Sequence, residues 1–391
     1  MPQVSTILNQ LEQLLPLEAF GHFVRQHEAD KWTKHFTTRN QLTVMLYAQA
    51  RGKDSLRDIE TGLKVQDSIG SSLGIGSVSR SNLSRINGGR PYDIFESLFY
   101  ELLKKCQNLS CETASTFTFK NDLYALDSTT IDLCLKLFPW ATFRKEKGAI
   151  KLHTLFNVRS QIPELIIESD GKVTDIEMAR HVPLDQLAKG SIITIDRGYV
   201  DYSFLHDIHE HEHTFVIRLK SNAQIVPLED HSVTEKNVIK DQRIAFVLPE
   251  AMEAYPEDLR LIEYKDEETG KVYVFITNNF ELSAKTIADI YKQRWQVELF
   301  FKWIKQHLKI KTFFGTSKNA VMTQIWIAMI YYLILSWIKH QTKFKGSILE
   351  LSRMIGEVLM QKVALINIIG LKPGSISKVL VRGSPDQLPL F

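Results

Sequence analysis

Three carboxylates in this sequence have settings that suit metal-dependent phosphate chemistry. Asp127 follows the apolar run LYAL, and Asp196 follows the apolar run IITI, so each is predicted to end a buried strand. Strand ends in an open α/β sheet are where reacting groups converge. An aspartate at such a position also commonly starts a turn. The pair therefore gains meaning from a third carboxylate, Glu298, on a predicted helix.

The segment YKQRWQVELFFKWIKQHLKI, residues 291–310, predicts that helix. At 100° per residue its polar stripe is about 60° wide, and the rest of its surface is mostly apolar. Such a helix is buried, and its stripe must face groups that satisfy it. An ion pair between Arg294 and Glu298 would satisfy only part of the stripe. The stripe consists of Tyr291, Arg294, Glu298 and Lys305, and the apolar surface of Trp295, Val297, Leu299, Phe300, Phe301, Trp303, Ile304 and Leu308.

A site for divalent cations accounts for the whole stripe. Mg²⁺ binds oxygen ligands, commonly one or two carboxylates together with waters and phosphate oxygens. Carboxylates from two strand ends and one helix can hold two ions about 4 Å apart, one activating water and the other stabilising the leaving oxygen. Residues 292–318 carry seven basic side chains and one acid, and this positive charge would hold a DNA backbone near the ions.

The first 112 residues predict short helices joined by polar turns, because long β-type runs are missing from them. Within them, the segment SVSRSNLSRINGGRPYDIF at 77–95 brings several Arg and Asn side chains close together. These are Arg80, Asn82, Arg85, Asn87 and Arg90. A short helix that presents Arg and Asn can read DNA phosphates and base edges. A solvated helix face is the alternative interpretation.

From about residue 117 the pattern becomes β-like. Apolar runs lie in residues 116–137, 149–160 and 162–169, a helix-compatible stretch covers 173–188, and further apolar runs follow at 191–200 and 214–220. Strands followed by a strand–helix–strand unit predict a mixed α/β sheet.

Composition narrows the class of protein. With 391 residues, 44% hydrophobic and 24% charged, the chain is globular and can bury two or three cores. A net charge of +3 is too small to identify a polyanionic partner. Three cysteines without a C-x-x-C pair favour neither a disulfide framework nor a zinc knuckle. The sequence contains no P-loop motif, so no nucleotide cofactor is expected.

Two further patterns have competing interpretations. The run HEHEH at 209–213 satisfies the metalloprotease pattern H-E-x-x-H, but strand-like residues follow at once, where that motif needs a helix. The apolar run at 320–338 is long enough for a membrane span, yet Thr323, Gln324 and Ser336 interrupt it. A buried core helix explains that run better. With no secretory signal pattern in the first 20 residues, we expect no membrane association and a cytoplasmic protein.

Four of these residues carry a family resemblance. Tyr291, Arg294, Glu298 and Lys305 match the pattern Y-x2-R-x3-E-x6-K, and LYALDSTT and ITIDRGY resemble two aspartate-bearing strands. The sequence thereby resembles IS4-type insertion-sequence transposases of the DDE superfamily over most of residues 117–340. The resemblance implies an RNase H-like core with a β-rich insertion, preceded by a small helical domain.

The resemblance also implies site residues and an activity. Asp127, Asp196 and Glu298 are expected to be catalytic and to bind two Mg²⁺ ions, for which Mn²⁺ can substitute. Tyr291, Arg294 and Lys305 are expected to contact DNA phosphates. The implied reaction is metal-dependent cleavage at the ends of an insertion sequence, followed by transfer of the 3′-hydroxyl into target DNA. Two alternatives stay open at this point, a metal-dependent nuclease without strand transfer and a non-catalytic DNA-binding derivative.

Partners and domains follow from the same resemblance. Double-stranded DNA, as terminal inverted repeats and target, is the expected partner, bound by a homodimer on paired ends in the bacterial nucleoid. The expected domains are a helical DNA-binding domain at 1–112, a catalytic domain at 113–345 and a C-terminal helix and tail at 346–391. The β-rich insertion is expected at about 214–280, because strand-like runs occur at 244–248, 259–264 and 271–277.

Overall fold

The computed structural model describes residues 5–65, 75, 78–107, 117, 119–144, 147–170, 172–307 and 313–369. The predicted tail at 371–391 lies outside them. The helices are α1 Ile7–Gln13, α2 Leu17–Gln26, α3 Thr38–Ala50, α4 Leu56–Val65, α5 Arg80–Gly89, α6 Asp93–Gln107, α7 Asp175–Ala179, α8 Tyr202–Glu210, α9 Pro249–Ala254, α10 Ala284–Gln293, α11 Trp295–His307, α12 Lys318–Thr342, α13 Ile348–Val358 and α14 Leu365–Ile368. The strands are β1 Leu123–Leu133, β2 Thr142–Arg144, β3 Lys147–Asn157, β4 Ile162–Asp170, β5 Ile192–Ile195, β6 Thr214–Arg218, β7 Ile225–Asp230, β8 Val238–Phe246, β9 Leu259–Lys265 and β10 Val272–Thr277.

The chain forms two compact units. One unit combines residues 1–110 with residues 303–391, and the other is the continuous segment 111–302. These units do not coincide with the domains expected from the sequence, because residues 303–345 group with the N-terminal helices. The reason is α12, whose apolar surface forms the core of the helical unit.

Several helices of the first unit begin at polar caps. Thr37 and Asn40 form a reciprocal capping box at α3, and Ser79 accepts a hydrogen bond from the backbone N–H of Asn82 at α5. Ser317 caps α12 in the same way. Such caps satisfy backbone N–H groups that have no partner in the first turn of a helix.

The long helix α12 is the predicted core helix. It is long and apolar enough to cross a membrane, but 94% of its most apolar window is buried. Its Trp326 ring lies 5.2 Å from the Phe99 ring of α6, and the hydroxyl groups of Tyr331 and Ser352 are 3.3 Å apart. A helix that is apolar on all sides belongs in the core of a large unit.

The second unit is built on one mixed sheet. Strands β4, β3, β1, β5 and β6 are neighbours in that order. The pairs β4–β3 and β3–β1 are antiparallel, whereas β1–β5 and β5–β6 are parallel. This order and these directions are those of an RNase H-like core, as predicted. The buried residues of β5, IITI, form the continuous apolar run that a strand covered on both faces requires.

The β-rich insertion extends this sheet. After β6, the strands β10, β9, β8 and β7 continue the sheet as antiparallel neighbours. They lie within the predicted insertion, between Asp196 and Glu298. Two details differ from the prediction. Asp127 does not end its strand as predicted, because β1 runs unbroken from Leu123 to Leu133 against β3. The stretch 173–188 holds only the short helix α7 and one 3-10 turn.

Candidate active site

The two aspartates occupy corresponding positions on neighbouring parallel strands. The pairing of β1 with β5 ends at Leu126 opposite Ile195, and Asp127 and Asp196 are the next residues on each strand. Beyond this point β1 continues against β3 alone, with Asp127 opposite Thr154. The sheet therefore opens at the two carboxylates, which is where a parallel sheet places ligands.

Asp127 is held by both of its oxygens. Its Oδ1 accepts the backbone N–H of Ser128 at 2.8 Å, and its Oδ2 accepts an Nη1–H of Arg294 at 2.6 Å. The side chain is 15% exposed. Burial raises the pKa of Asp127 to about 6, partly opposed by Arg294 and assisted by the nearby charges of Asp196 and Glu298. The three carboxylates therefore lie close enough to affect one another.

Asp196 caps the turn that follows β5. Its side chain accepts the backbone N–H of Gly198 at 3.3 Å, and residues Arg197–Tyr199 form a 3-10 turn. The half-buried carboxylate opens onto a cleft of about 520 Å³. The cleft is lined by Asp196, Arg197, Gly198, Arg218, Lys220, Ser221 and Asn222. Three cations in one wall make this cleft suited to an anionic chain.

The predicted continuous helix at 291–310 is in fact two helices. Helix α10 ends at Gln293 and α11 begins at Trp295, with Arg294 forming a tight turn between them. Its N–H bonds to the carbonyl of Tyr291 at 3.1 Å, three residues back instead of four. The turn places Glu298 in the first turn of α11, where a negative charge is favourable.

The apolar surface of α11 is buried only in part. Trp295 and Leu299 are 57% and 44% exposed, contrary to the prediction that the whole apolar surface is buried. The residues that are buried are Val297, Phe300, Phe301, Trp303 and Ile304. At 100° per residue, Trp295 and Leu299 lie next to the polar stripe, so they border the open side of the helix.

Arg294 bridges two of the three carboxylates. Its Nη1 lies 2.6 Å from Asp127, and its Nη2 lies 2.6 Å from Glu298. Burial alone would lower the pKa of Arg294, but the charges of Asp127 and its other neighbours raise it above its usual range. The predicted pair between Arg294 and Glu298 is therefore present, and it is one half of a larger bridge.

The other two residues of the stripe have different settings. The Tyr291 ring packs 4.8 Å from Phe275 and lies 5.8 Å from the Arg294 guanidinium, and burial raises the pKa of Tyr291. Lys305 is exposed on α11, seven residues after Glu298. Tyr291 thus contacts the bridging arginine, whereas the Lys305 side chain is exposed to solvent.

A fourth carboxylate, Asp175, binds Ser128, the residue next to Asp127. No sequence pattern predicted this contact. The Oδ1 of Asp175 accepts the Ser128 hydroxyl at 2.6 Å and lies 2.8 Å from Lys151 Nζ and 3.5 Å from His153 Nδ1. Burial alone would raise the pKa of Asp175, but Lys151 and Ser128 lower it. Burial lowers the pKa of His153 to about 4. Asp175 therefore holds the residue whose N–H binds Asp127.

The carboxylates fit a divalent cation. Asp127, Asp196 and Glu298 supply only oxygen atoms, the ligands that hard cations such as Mg²⁺ prefer. Asp127 is poorly solvated, and a cation would offset the cost of its negative charge. Arg294 now offsets part of that cost, so it competes with a cation for the same two carboxylates.

The HEHEH run does not form a protease site. Helix α8 ends at Glu210, so His209 and His213 do not share a helical face. His209 Nδ1 bonds to the Tyr255 hydroxyl at 2.8 Å, and buried His213 Nε2 bonds to the Leu184 carbonyl at 2.8 Å. Each of these two histidines therefore binds a different part of the fold.

The predicted DNA-reading helix is α5, in the other compact unit. Arg80 and Arg85 are exposed, and Arg85 donates to the half-exposed Asn82 at 3.0 Å. Asn87 and Arg90 instead point inward, because α5 is anchored by their polar bonds as well as by its few apolar residues. Three of the five candidates therefore remain available to a partner.

Comparisons with known proteins bear on this fold and site. The family profile described as "Transposase DDE domain" matches residues 118–334, and a domain of unknown function (DUF4372) matches residues 3–75. A probable transposase for insertion sequence element IS5377 of Geobacillus stearothermophilus is 31% identical over 70% of this chain and 71% of its own length. The putative transposase y4zB of Sinorhizobium fredii is 29% identical over 78% of this chain and 84% of its own length.

A solved piggyBac transposase synaptic complex with hairpin DNA matches with a TM-score of 0.48 and 12% identity, covering 99% of this chain and 87% of that chain. At that TM-score the match adds nothing to the fold assignment, which rests on the strand order.

An RNase H-like sheet in a chain that the transposase DDE profile matches over residues 118–334 defines a DDE-type enzyme acting on DNA. This chain belongs to the transposase DDE domain family and is a DNA transposase of the insertion-sequence type. Membership of this family also implies dependence on divalent metal and binding to DNA.

Proposed function

We propose that Asp127, Asp196 and Glu298 are the metal-binding catalytic residues of a transposase that cuts the ends of its insertion sequence and joins them to target DNA. The observation that carries this proposal is the bridge from Arg294 to Asp127 and Glu298. Arg294 offsets the charges of two carboxylates, and the charge of Asp196 also acts on it. Two Mg²⁺ ions, or Mn²⁺ in their place, are the proposed occupants.

When bound, divalent cations supply an activated water or 3′-hydroxyl nucleophile and stabilise the leaving oxygen. The chain positions these events through rigid elements. Asp127 is fixed by the N–H of Ser128, and Asp196 is fixed by the N–H of Gly198. Glu298 is fixed by its position in the first turn of α11. Positions on strands and helices hold a reacting group more precisely than mobile loops do.

Arg294 is proposed to act on the phosphate. Asp127 and Glu298 would hold a cation, and the guanidinium beside them would bind phosphoryl oxygens, on which negative charge develops. Tyr291 keeps the guanidinium close to the carboxylates through the ring contact. Lys305 is proposed to hold the DNA backbone further along the duplex, as a surface cation does.

The wider setting is proposed on the same basis. Terminal inverted repeats and target DNA are the proposed substrates, bound by a homodimer on paired ends in the bacterial cytoplasm at the nucleoid. The proposed DNA contacts of the helical domain are Arg80, Asn82 and Arg85. Sedimentation with DNA that carries the element's ends would show two protein copies per complex if the dimer is correct.

The test is cleavage and joining of a duplex with the element's own ends in Mg²⁺. Glu298→Gln should reduce both reactions by about 1,000-fold or more, since a metal ligand contributes several kcal/mol. Asp289→Asn is the matched control, because this half-exposed carboxylate on α10 pairs only with Lys285 among the described residues. It should keep wild-type rates.

The possible outcomes separate the interpretations. Cleavage without joining by wild type would identify a nuclease, and no reaction in Mg²⁺ or Mn²⁺ would identify a non-catalytic DNA-binding protein. If folded Glu298→Gln cuts as fast as wild type, Glu298 is only an ion-pair partner of Arg294. Circular dichroism of both variants shows that the fold is retained.

A further inference from the structure

One tryptophan in the helical unit is almost fully exposed. Trp32 lies in the segment between α2 and α3 and is 89% exposed, the largest exposure among the exposed large apolar side chains that the structure describes. Its backbone φ is +64°, in the left-handed region that a bulky residue rarely adopts. A large apolar ring held in water by an unfavourable backbone angle calls for a functional explanation.

The segment that carries Trp32 is rigidly built. Buried Arg90 donates to the carbonyl of Ala29 at 3.3 Å and to the carbonyl of Phe36 at 2.6 Å, and thus ties both ends of the loop together. Arg90 also pairs with Asp30 at 3.1 Å. The Asp30 carboxylate in turn accepts the N–H of Thr38, the first residue of α3. The loop is therefore fixed from within while its apex faces solvent.

The loop and α5 together form a basic cleft of about 510 Å³. We call it the Trp32 cleft, and it is lined by Ala29, Lys31, Trp32, Thr33, Lys34, His35, Phe36, Asn82, Arg85, Ile86, Gly89 and Arg90. No acidic residue is in the lining. Nearby Asp30 is neutralised by Arg90, and Glu28 pairs with Lys31 at 2.6 Å. Lys34, His35 and Arg85 are exposed and leave the cleft cationic.

We propose that the Trp32 cleft is a stacking site for one unpaired base of DNA. This inference rests on the proposed function, in which DNA is the substrate. An aromatic ring flanked by cations matches a nucleotide, whose base has a π-face and whose neighbouring phosphates are anionic. Lys34 and Arg85 hold the flanking phosphates, and the Asn82 amide reaches the edge of the stacked base.

Charge favours this occupant over another protein or a second copy of this chain. The central part of a protein interface is depleted of charged residues, and lysine is depleted in interfaces generally. Here a single ring lies in one cleft with Lys34 and Arg85, while Lys31 is paired with Glu28, so the apolar area is small and the remaining charge is positive. Nucleic acid is the macromolecule with that complementary pattern.

The experiment measures binding of the full chain to an oligonucleotide by fluorescence anisotropy, at several salt concentrations, with 2-aminopurine as a reporter of base stacking. Single-stranded DNA is compared with a duplex of the same sequence and with a duplex containing one unpaired base. Wild type should bind the single strand and the bulged duplex more tightly than the perfect duplex and should quench 2-aminopurine.

Trp32→Ala should weaken binding to unpaired bases by about tenfold or more and abolish the quenching, because stacking on one ring contributes roughly 1–3 kcal/mol per base. Trp32→Phe should retain most of the affinity. Neither variant should change the salt dependence, since no charge is lost. Trp32 is 89% exposed, so Trp32→Ala should fold like wild type.

Substitutions that remove a positive charge from the cleft should change the salt dependence of binding. Arg85→Gln and Lys34→Gln should each reduce the slope of log affinity against log salt by about one unit. Lys104→Gln is the control, because Lys104 is an exposed lysine of the same unit that pairs with Glu101 outside the cleft. Its substitution should leave both the slope and the quenching unchanged.

Several results would overturn the inference. Unchanged affinity and quenching in Trp32→Ala would show that the ring does not stack on DNA. Loss of self-association without loss of DNA binding would show that the cleft binds a second copy of this chain. The inference fails independently of the catalytic proposal, because Glu298→Gln should lose cleavage while it keeps the Trp32-dependent binding.

Discussion

Two arginines organise two different regions of this molecule. Arg294 bonds to the carboxylates of Asp127 and Glu298, whereas Arg90 bonds to two backbone carbonyls, the Gln41 side chain and one carboxylate, Asp30. A cation or a phosphate can take over the first set of bonds, but nothing can replace carbonyls fixed within the chain. The comparison distinguishes an arginine that exchanges partners from one that holds a loop.

The largest expected effect comes from the removal of Arg294, the arginine that can exchange its partners. Arg294→Gln should lower the single-turnover rate of DNA cleavage by about 100- to 1,000-fold, the usual effect of removing a donor to the developing negative charge. Binding of Mn²⁺ should not weaken, because a competitor for Asp127 and Glu298 is removed. Full activity in this variant would mean that Arg294 is only a structural ion pair.

The structural arginine should act on stability instead. Arg90→Ala should lower the free energy of unfolding by about 3 kcal/mol, because it leaves buried carbonyls and Asp30 without their donor. Denaturation in urea measures this loss. Arg85→Gln on the same helix is the control and should change stability by less than about 0.5 kcal/mol. Equal effects of both substitutions would contradict the structural role of Arg90.

The catalytic region should also depend on pH through His153. Burial lowers the pKa of His153 to about 4, below its usual value of 6.5. As the pH falls from 6.5 to 4, the unfolded chain takes up a proton that the folded chain does not, so stability decreases. Wild type should lose roughly 2 kcal/mol more than His153→Gln across this window. Parallel stability curves for the two proteins would rule out this source of acid sensitivity.

The smallest expected effect concerns Asp175, which accepts a hydrogen bond from Ser128 beside Asp127. Asp175→Asn should lower the cleavage rate about tenfold, because Ser128 loses its fixed partner and the N–H bond to Asp127 becomes less precise. Ser128→Ala should do the same, and the double variant should be no worse than either single variant. Asp185→Asn, an exposed carboxylate in the 3-10 turn after α7, is the control. Additive losses would indicate two independent roles.

The sequence predicted those parts of the site that local patterns encode. Buried parallel strands are continuous apolar runs, so LYAL and IITI could be recognised as the strand segments that precede Asp127 and Asp196, although β1 continues past Asp127 to Leu133. The i,i+4 spacing similarly predicted the pair between Arg294 and Glu298. The break at Arg294 could not be predicted, because one residue with a different hydrogen bond barely changes the periodicity of the helix.

The sequence did not predict contacts between residues that lie far apart in the chain. Asp175 reaches Ser128 across 47 residues of sequence, and no spacing rule connects them. The inward orientation of Arg90 and Asn87 was missed because both were grouped with the exposed residues of α5. The exposure of Trp32 could not be predicted from the sequence, because an aromatic residue in a loop usually packs inward.

The helical unit is assembled from both ends of the sequence. Its first helix already depends on the far end, because the backbone N–H groups of Ile7 and Leu8 donate to the carbonyls of Gln361 and Leu359. During synthesis at about 5–20 residues per second, these partners are translated tens of seconds after the first helices leave the ribosome. The continuous segment 111–302 can fold in that interval.

Until α12 has been synthesised, the apolar faces of the N-terminal helices remain exposed to solvent. In a nascent chain arrested before residue 303, the sheet should therefore be folded. Its N-terminal region should be recognised as unfolded by chaperones and proteases. Competence to engage DNA through the helical unit would then arise only in a protein whose translation has passed the last core helix.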